Sequence, residues 1–557
     1  MTASDQTQPL SWGDTFFLYL ERDGQPINIA SCCEFEGKIV RKACAKFVNS
    51  KLHLIPRYKQ RAVFPSFNLS LPQWEVDPDF DIDNHVHEVV LTEGTDEDLK
   101  TETAKVISST LNRNHPLWDI TLVRGLKSNR TGVIFRIHHA MADGVSGVGI
   151  MNVLLDASPE VHKRPAPRKA APERPRPTDS LAILLDEVLQ SYQSFMKGAL
   201  TAQNEVLNIA REVIASATNG HAEDIVHLVP ELVTPSERLP FNKICYGPQK
   251  IAWGEMPMGE IKAIRDACGG TMNDVVLTVI TSTVRRYSEH HGVALRGRHL
   301  RLVIPINIRG NGDISELGNR LTFLPINVPL DVPEPRELLC RIHERVSFLR
   351  GVGVPELVGM FGMMVSKVPL PIQAQLVPVL TQMPLSLANM ICTNVPGPQA
   401  PLYLLGHKLL RCYPYVPIGG ELGINVAVLS YNGTAYVGFG GDQQAVPDIK
   451  LFERLLKETF AELCDAAAKA PYSATSASAA KSEIKPVRRR VQMRTIPTAA
   501  GTAKPRRQKR TTVKPKAAAI TKRKAAKVRR ALTQFPLAIN PAAEARTPVE
   551  VLAATGD

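Results

Sequence analysis

The chain has 557 residues, 44% apolar and 22% charged, which is a globular composition long enough for two packed domains and further segments. Its net charge of +13 is lopsided: residues 471–557 hold 20 Lys and Arg against 4 Asp and Glu, leaving the first 470 at −3. The nine cysteines include no CxxC pair, which argues against a zinc ribbon or a dithiol redox site and fits a reducing, cytoplasmic compartment.

Taken in chain order, the first twelve residues lack the basic and apolar regions of a secretory signal. Residues 1–156 form a first block of alternating strand-like and helical patterns. Within it, β-rich runs at 118–126 and 132–137 flank a turn-rich 127–131 and predict a hairpin. A Pro- and Arg-rich stretch at 159–177 cannot hold regular structure, and helical spacing follows at 181–217, so 157–230 reads as linker and crossover. The block 231–470 resumes the mixed pattern. Thr271-Met-Asn-Asp274 before 275–287 predicts a capped helix start. Strands are expected at 302–308 and 321–330, and Asn432-Gly433 between 424–430 and 435–439 predicts a tight hairpin. A helix over 448–468 closes the body. Residues 368–406 carry no charge, yet seven prolines break them, so they read as a greasy lining and not as a membrane span. Residues 471–557 are basic and of low complexity, with a composition that favours disorder.

The sharpest feature is His138-His139-Ala-Met-Ala-Asp143-Gly144, where a strand gives way to a helical run at 145–155. On a strand, neighbours point to opposite faces, so His139 would join Phe135 and Ile137 toward the apolar interior while His138 joins Arg136. That divergence argues against a His-His-Asp metal site, which needs converging ligands. Two readings stay open. In the structural one, His139 packs in the core and Asp143 caps the next helix. In the chemical one, His139 is a general base that takes a hydroxyl proton as the oxygen attacks an acyl carbon, with Gly144 letting the chain bend.

His138–Gly144 resembles the HHxxxDG motif of the wax ester synthase/acyl-CoA:diacylglycerol acyltransferase family. Further landmarks fall in the family's order: Leu10 to Phe17, Pro116-Leu117-Trp118, Asn273-Asp274, Pro305 to Arg309, Gly318-Asn319 and Thr393 to Pro398. The resemblance spans residues 10–468. It implies an α/β fold of two chloramphenicol-acetyltransferase-like lobes around a central tunnel, with the basic tail outside it. It implies an O-acyltransferase that moves a long-chain acyl group from acyl-CoA to diacylglycerol, with fatty alcohols as a second acceptor class, without metal, redox cofactor or covalent intermediate. His139 would be the base, with His138, Asp143 and Asn273 completing the catalytic set and Gly144, Arg309 and Asp274 supporting it. Helix initiation is the competing role for Asn273 and Asp274.

A non-catalytic lipid-binding or lipid-body protein is the alternative. The tail clusters Arg488 to Arg490, Arg506 to Arg510 and Lys522 to Lys524 suit any polyanion. An anionic membrane or lipid-body surface is one partner, nucleic acid another, and a solvated tail the plainest reading. The expected location is cytoplasmic, at the periphery of the inner membrane or of lipid bodies.

Overall fold

The computed structural model describes residues 8–65, 71–142, 144–160, 234–307, 321–355, 358 and 388–469. Asp143, Arg309, Gly318, Asn319, the helical run at 181–217, residues 368–387 of the greasy 368–406 stretch and the basic tail lie outside the described residues.

The first half supplies β1 (Gln8–Pro9), α1 (Trp12–Leu20), β2 (Asn28–Glu36), α2 (Arg41–Lys51), β3 (Gln60–Val63), β4 (Gln73–Val76) and β5 (Val86–Val90). It continues with α3 (Asp96–Ile107), β6 (Trp118–Leu126), β7 (Arg130–His138) and α4 (Gly144–Leu154). After residue 234 come β8 (Gln249–Pro257), α5 (Met258–Cys268), α6 (Met272–His290), β9 (His299–Asn307), β10 (Leu321–Pro329) and α7 (Pro335–Gly351). The last stretch holds β11 (Met390–Pro396), β12 (Tyr403–Leu404), β13 (His407–Tyr415), β14 (Ile424–Tyr431), β15 (Thr434–Asp442) and α8 (Lys450–Ala468).

Local chemistry accounts for the boundaries. Ser11 caps α1, its Oγ accepting the Asp14 amide at 3.1 Å. Thr271 and Asp274 form a reciprocal capping box that opens α6. The 6–7 hairpin turns through Ser128 and Asn129, and the 14–15 hairpin through Asn432 and Gly433, all four at positive φ. Positive φ supplies the twist that the three-residue loop 127–129 and the two-residue loop 432–433 need. The expected strands are present: β6 keeps its predicted bounds, β7, β14 and β15 run one to three residues longer at one or both ends because ladder pairing extends past the apolar alternation, β9 starts three residues early and ends one short, and β10 ends one short.

Two six-stranded sheets organise the body, in the orders β12-β13-β2-β7-β6-β5 and β10-β9-β11-β14-β15-β8. The division does not follow the chain. β12 and β13 come from the C-terminal half yet complete the N-terminal sheet, with β13 antiparallel to β2 and Cys412 opposite Cys33. β13 also holds the lobes together: its Tyr413 stacks flat on Trp253 of β8 at 4.3 Å, and Trp253 donates its indole N–H to the Tyr415 hydroxyl. Two apolar cores result, and the first takes Ile251, Trp253, Leu429, Tyr431 and Tyr436 from the second sheet.

Candidate active site

The strand register sorts the N-terminal sheet into two unlike faces. Ile29 pairs with Ile137, Ser31 with Phe135, Trp118 with Ile137 and Ile120 with Phe135, so these side chains share one face. Asn28 pairs with His138, and Asp119 and Ala30 with Arg136, on the other.

The second face is charged and sealed. Arg136 is buried and ion-paired with buried Asp119, its Nε donating to Oδ1 at 3.0 Å. Its Nη1 donates to the carbonyls of Val106 and Ser109 at the end of α3. His138 is 0% exposed, with one ring nitrogen hydrogen-bonded and the other, which makes no hydrogen bond, set against a carboxylate. Nδ1 accepts the Ala140 amide N–H at 3.0 Å, which leaves the ring proton on Nε2. Nε2 faces Glu21 Oε1 across 3.4 Å. Burial alone would push the Glu21 carboxyl up, but His138 and Arg113 outweigh it and hold the group below the ordinary carboxylate value.

His139 has a different setting. β7 stops at His138, because Met141 N–H bonds back to the His138 carbonyl at 2.9 Å and closes a turn. His138 lies on the Arg136 face as expected, but the fully buried histidine of the pair is His138, where the expectation has His139 turned toward the interior. His139 is half-buried, and its ring stacks on Phe17 of α1 with centroids 3.9 Å apart and planes 18° from parallel. The two histidines diverge, each meeting a different residue of the α1 segment.

Asn273 and Asp274 also part company. Asp274 is buried; its Oδ2 accepts the Thr271 N–H and meets His343 Nδ1, both at 2.8 Å, as a helix cap with one extra partner. Asn273 Oδ1 accepts from Asn394 Nδ2 on β11 at 3.1 Å. The neighbours of Asn394, Thr393 and Val395, point the other way along that strand and line an apolar cavity of about 120 Å³. Phe135 and Ile137 of the N-terminal sheet and Gly147, Val148 and Met151 of α4 form further walls. Gly144, the predicted bend, is the first residue of α4. A larger cleft of about 700 Å³ runs along the lobe seam between α3 and the start of α8, with Lys100, Lys105, Lys250, Lys450 and Arg454 on its walls beside Glu97 and Asp448, and with Lys100 and Lys450 ion-paired to Glu97. It ends at Ser108 and Ser109, and the Ser109 carbonyl accepts from Asn28, the register partner of His138.

Glu21, Arg113 and Phe17 were not singled out by the sequence reading. Neither a spacing rule nor a motif links residues so far apart, although Phe17 closes one of the landmark segments. Among the described residues, no three His, Cys, Asp or Glu side chains gather as a metal site would need, and no helix is long and apolar enough to cross a membrane.

Two mixed six-stranded sheets, the first completed by a strand pair from the C-terminal half, are the fold of the chloramphenicol-acetyltransferase and condensation-domain type. Models of the wax ester synthase/diacylglycerol acyltransferase catalytic domain and of its C-terminal domain match residues 10–276 and 317–464, and the chain belongs to this family. A probable diacylglycerol O-acyltransferase of Mycobacterium tuberculosis is 27% identical over 463 residues, spanning 81% of this chain and 94% of its own. A Mycobacterium bovis protein named for the same activity matches at the same identity and coverage. Among solved structures, the wax ester synthase/diacylglycerol acyltransferase of Marinobacter aquaeolei superposes with a TM-score of 0.56 at 21% identity, covering 83% of this chain and all of that one. A starter condensation domain of rhizomide synthetase superposes at 0.51 with 12% identity, over 85% of this chain and 97% of its own. These likenesses bear on the fold.

Proposed function

We propose that this enzyme transfers an acyl group from a long-chain acyl-CoA to the hydroxyl of diacylglycerol, and to a fatty alcohol where one is offered, with His139 as general base. One observation carries the reading: His138 is fully buried, with Nδ1 bonded to the Ala140 amide and Nε2 facing Glu21, whereas His139 is half-buried with its ring stacked on Phe17. Of the pair, only His139 can meet a substrate.

The chemistry then follows. Neutral His139 accepts the acceptor's hydroxyl proton as the oxygen bonds to the thioester carbon. The tetrahedral intermediate collapses with cleavage of the carbon–sulfur bond, and the imidazolium returns its proton to the departing thiolate, giving ester and free thiol. The apolar cavity supports an acyl or alkyl chain and keeps water from the thioester. The cation-lined cleft beside the same strand end supports a polyanionic donor such as the phosphates of coenzyme A. Asn273, held by Asn394 just behind the cavity wall, is suited to shaping that wall, and Asp274 to capping the helix beneath it.

The test is acyl transfer from labelled palmitoyl-CoA to dioleoylglycerol and, separately, to hexadecanol, by wild type and His139→Ala. Ester from the wild type alone supports the reading and ranks the acceptors. Absence of ester with both acceptors from folded wild type overturns it in favour of a lipid-binding role.

A further inference from the structure

α1 presents Phe17 and Glu21 one helical turn apart, the Glu21 amide donating to the Phe17 carbonyl at 3.2 Å in the last helical bond. Phe17 lies on the ring of His139 and Glu21 lies against the ring of His138. One short segment thus grips both histidines. Glu21 reaches further still. Its Oε1 accepts the Ile27 N–H at 3.3 Å, and the Ile27 carbonyl accepts the His139 N–H at 2.9 Å. Its Oε2 accepts from Arg113, at 3.1 Å from Nη2 and 3.4 Å from Nε, and Arg113 Nη2 in turn donates to the Leu18 carbonyl at 2.8 Å.

We propose that Glu21 is a positioning residue for acyl transfer, a buried carboxylate that fixes His139 from both sides, through His138 on one and Ile27 on the other. The carboxylate is 3% exposed, so its contacts are shielded from solvent and their loss is not made good by water. By facing Nε2 of His138 it keeps the ring proton there, and Nδ1 stays available to the Ala140 amide. That bond and the Met141-to-His138 turn set the backbone path on the C-terminal side of His139. The Ile27 bridge sets it on the N-terminal side. Without the carboxylate, His138 is free to turn over, and the Ala140 amide loses its acceptor. The ring of His139 then shifts on Phe17 without losing its chemistry.

This inference rests on His139 being the general base, and the experiment separates the two. Glu21→Gln keeps the size of the side chain and removes its charge. The expected result is a fall in kcat of roughly ten- to a hundredfold, the cost of misplacing a reacting group by about an ångström. KM for palmitoyl-CoA should stay within about twofold, since no substrate contact is removed. Combined with His138→Ala, the loss should be clearly smaller than the product of the two single losses, because both changes break one linkage. A folded Glu21→Gln enzyme with wild-type kcat, or losses that multiply in full, overturns the proposal. Where Glu21→Gln does not fold, Glu21→Asp takes its place; it keeps the charge, withdraws it by one methylene, and should lower kcat in the same direction. Wild-type kcat in Glu21→Asp overturns the proposal. His139→Ala is run alongside. If it is inactive while Glu21→Gln is fully active, the clamp fails and the base stands; if it is active, the base fails and the clamp with it.

Discussion

The two faces of the N-terminal sheet are built from the same three strands and serve opposite ends. One carries Asp119, Arg136 and His138, buried beside α3, and across the turn meets Glu21, whose outer oxygen is held by the exposed Arg113. The other carries Ile29, Trp118, Ile120, Phe135 and Ile137 and is hollow, bordering the cavity against α4 and the second sheet. Buried charges demand defined partners in defined directions, which makes the first face a rigid frame. Apolar side chains demand only exclusion of water, so the second face can keep a space for a chain. The His138-His139 turn follows the end of β7, the strand on which the two faces alternate.

The largest expected effect falls at that turn. His139→Ala should lose roughly a hundred- to ten-thousandfold in turnover, the usual reach of a general base, with little change in melting temperature. His138→Ala should lose less activity and more stability, since it strips a buried carboxylate of a partner. Equal losses of activity from both would erase the distinction between frame and reactive edge. Next in size, Asp119→Ala leaves Arg136 buried and unmatched and should cost about 3–5 kcal/mol in denaturant unfolding. A cost under about 1 kcal/mol would mean that the charged face is not a frame.

The hollow face is tested by filling it. Gly147 borders the cavity, and a side chain built there meets nothing within 4 Å. Gly147→Leu should therefore fold at least as well as wild type, helped by helix propensity, while kcat/KM for palmitoyl-CoA falls about tenfold relative to an octanoyl thioester. Unchanged chain-length preference would place the chain elsewhere. The smallest effect is on acid stability. His85 is buried between Trp118 and Phe80, its Nδ1 2.8 Å from the Trp118 carbonyl, and burial lowers it from the ordinary 6.5. The unfolded chain then binds this proton more readily than the native one, so His85 costs nothing above pH 6.5 and costs stability as the pH falls through 6.5 toward its lowered native value. The melting temperature should drop between pH 7.5 and 5.5, and His85→Gln should show the smaller drop.

What the sequence made legible is what depends on neighbours along the chain. Asn432-Gly433 specified its hairpin because the positive φ angles are a local need. Thr271 and Asp274 marked a helix start because a capping box closes within four residues. Alternation along β7 separates Phe135 from Arg136 in the sequence itself. It does not tell that His138 is the more deeply buried histidine, because that depends on Glu21, more than a hundred residues away in the chain. Glu21 and Arg113 stayed hidden for the same reason: a lone Glu at a helix end and a lone Arg in a loop look like surface charges until the fold joins them. The transfer of β12 and β13 into the first sheet left no trace in composition either, because a strand pattern does not say which edge it will cover.

That transfer has a consequence in time. Cys33 on β2 and its partner Cys412 on β13 are 379 residues apart. At 5–20 residues per second, a ribosome needs roughly 20 to 75 s to supply the second after the first. For that interval the nascent N-terminal half has a bare β2 edge, with unmet amides and carbonyls open to any other strand. The first sheet is therefore finished only when nearly all of the body has been made, and a fragment ending before residue 407 would keep that edge permanently adhesive.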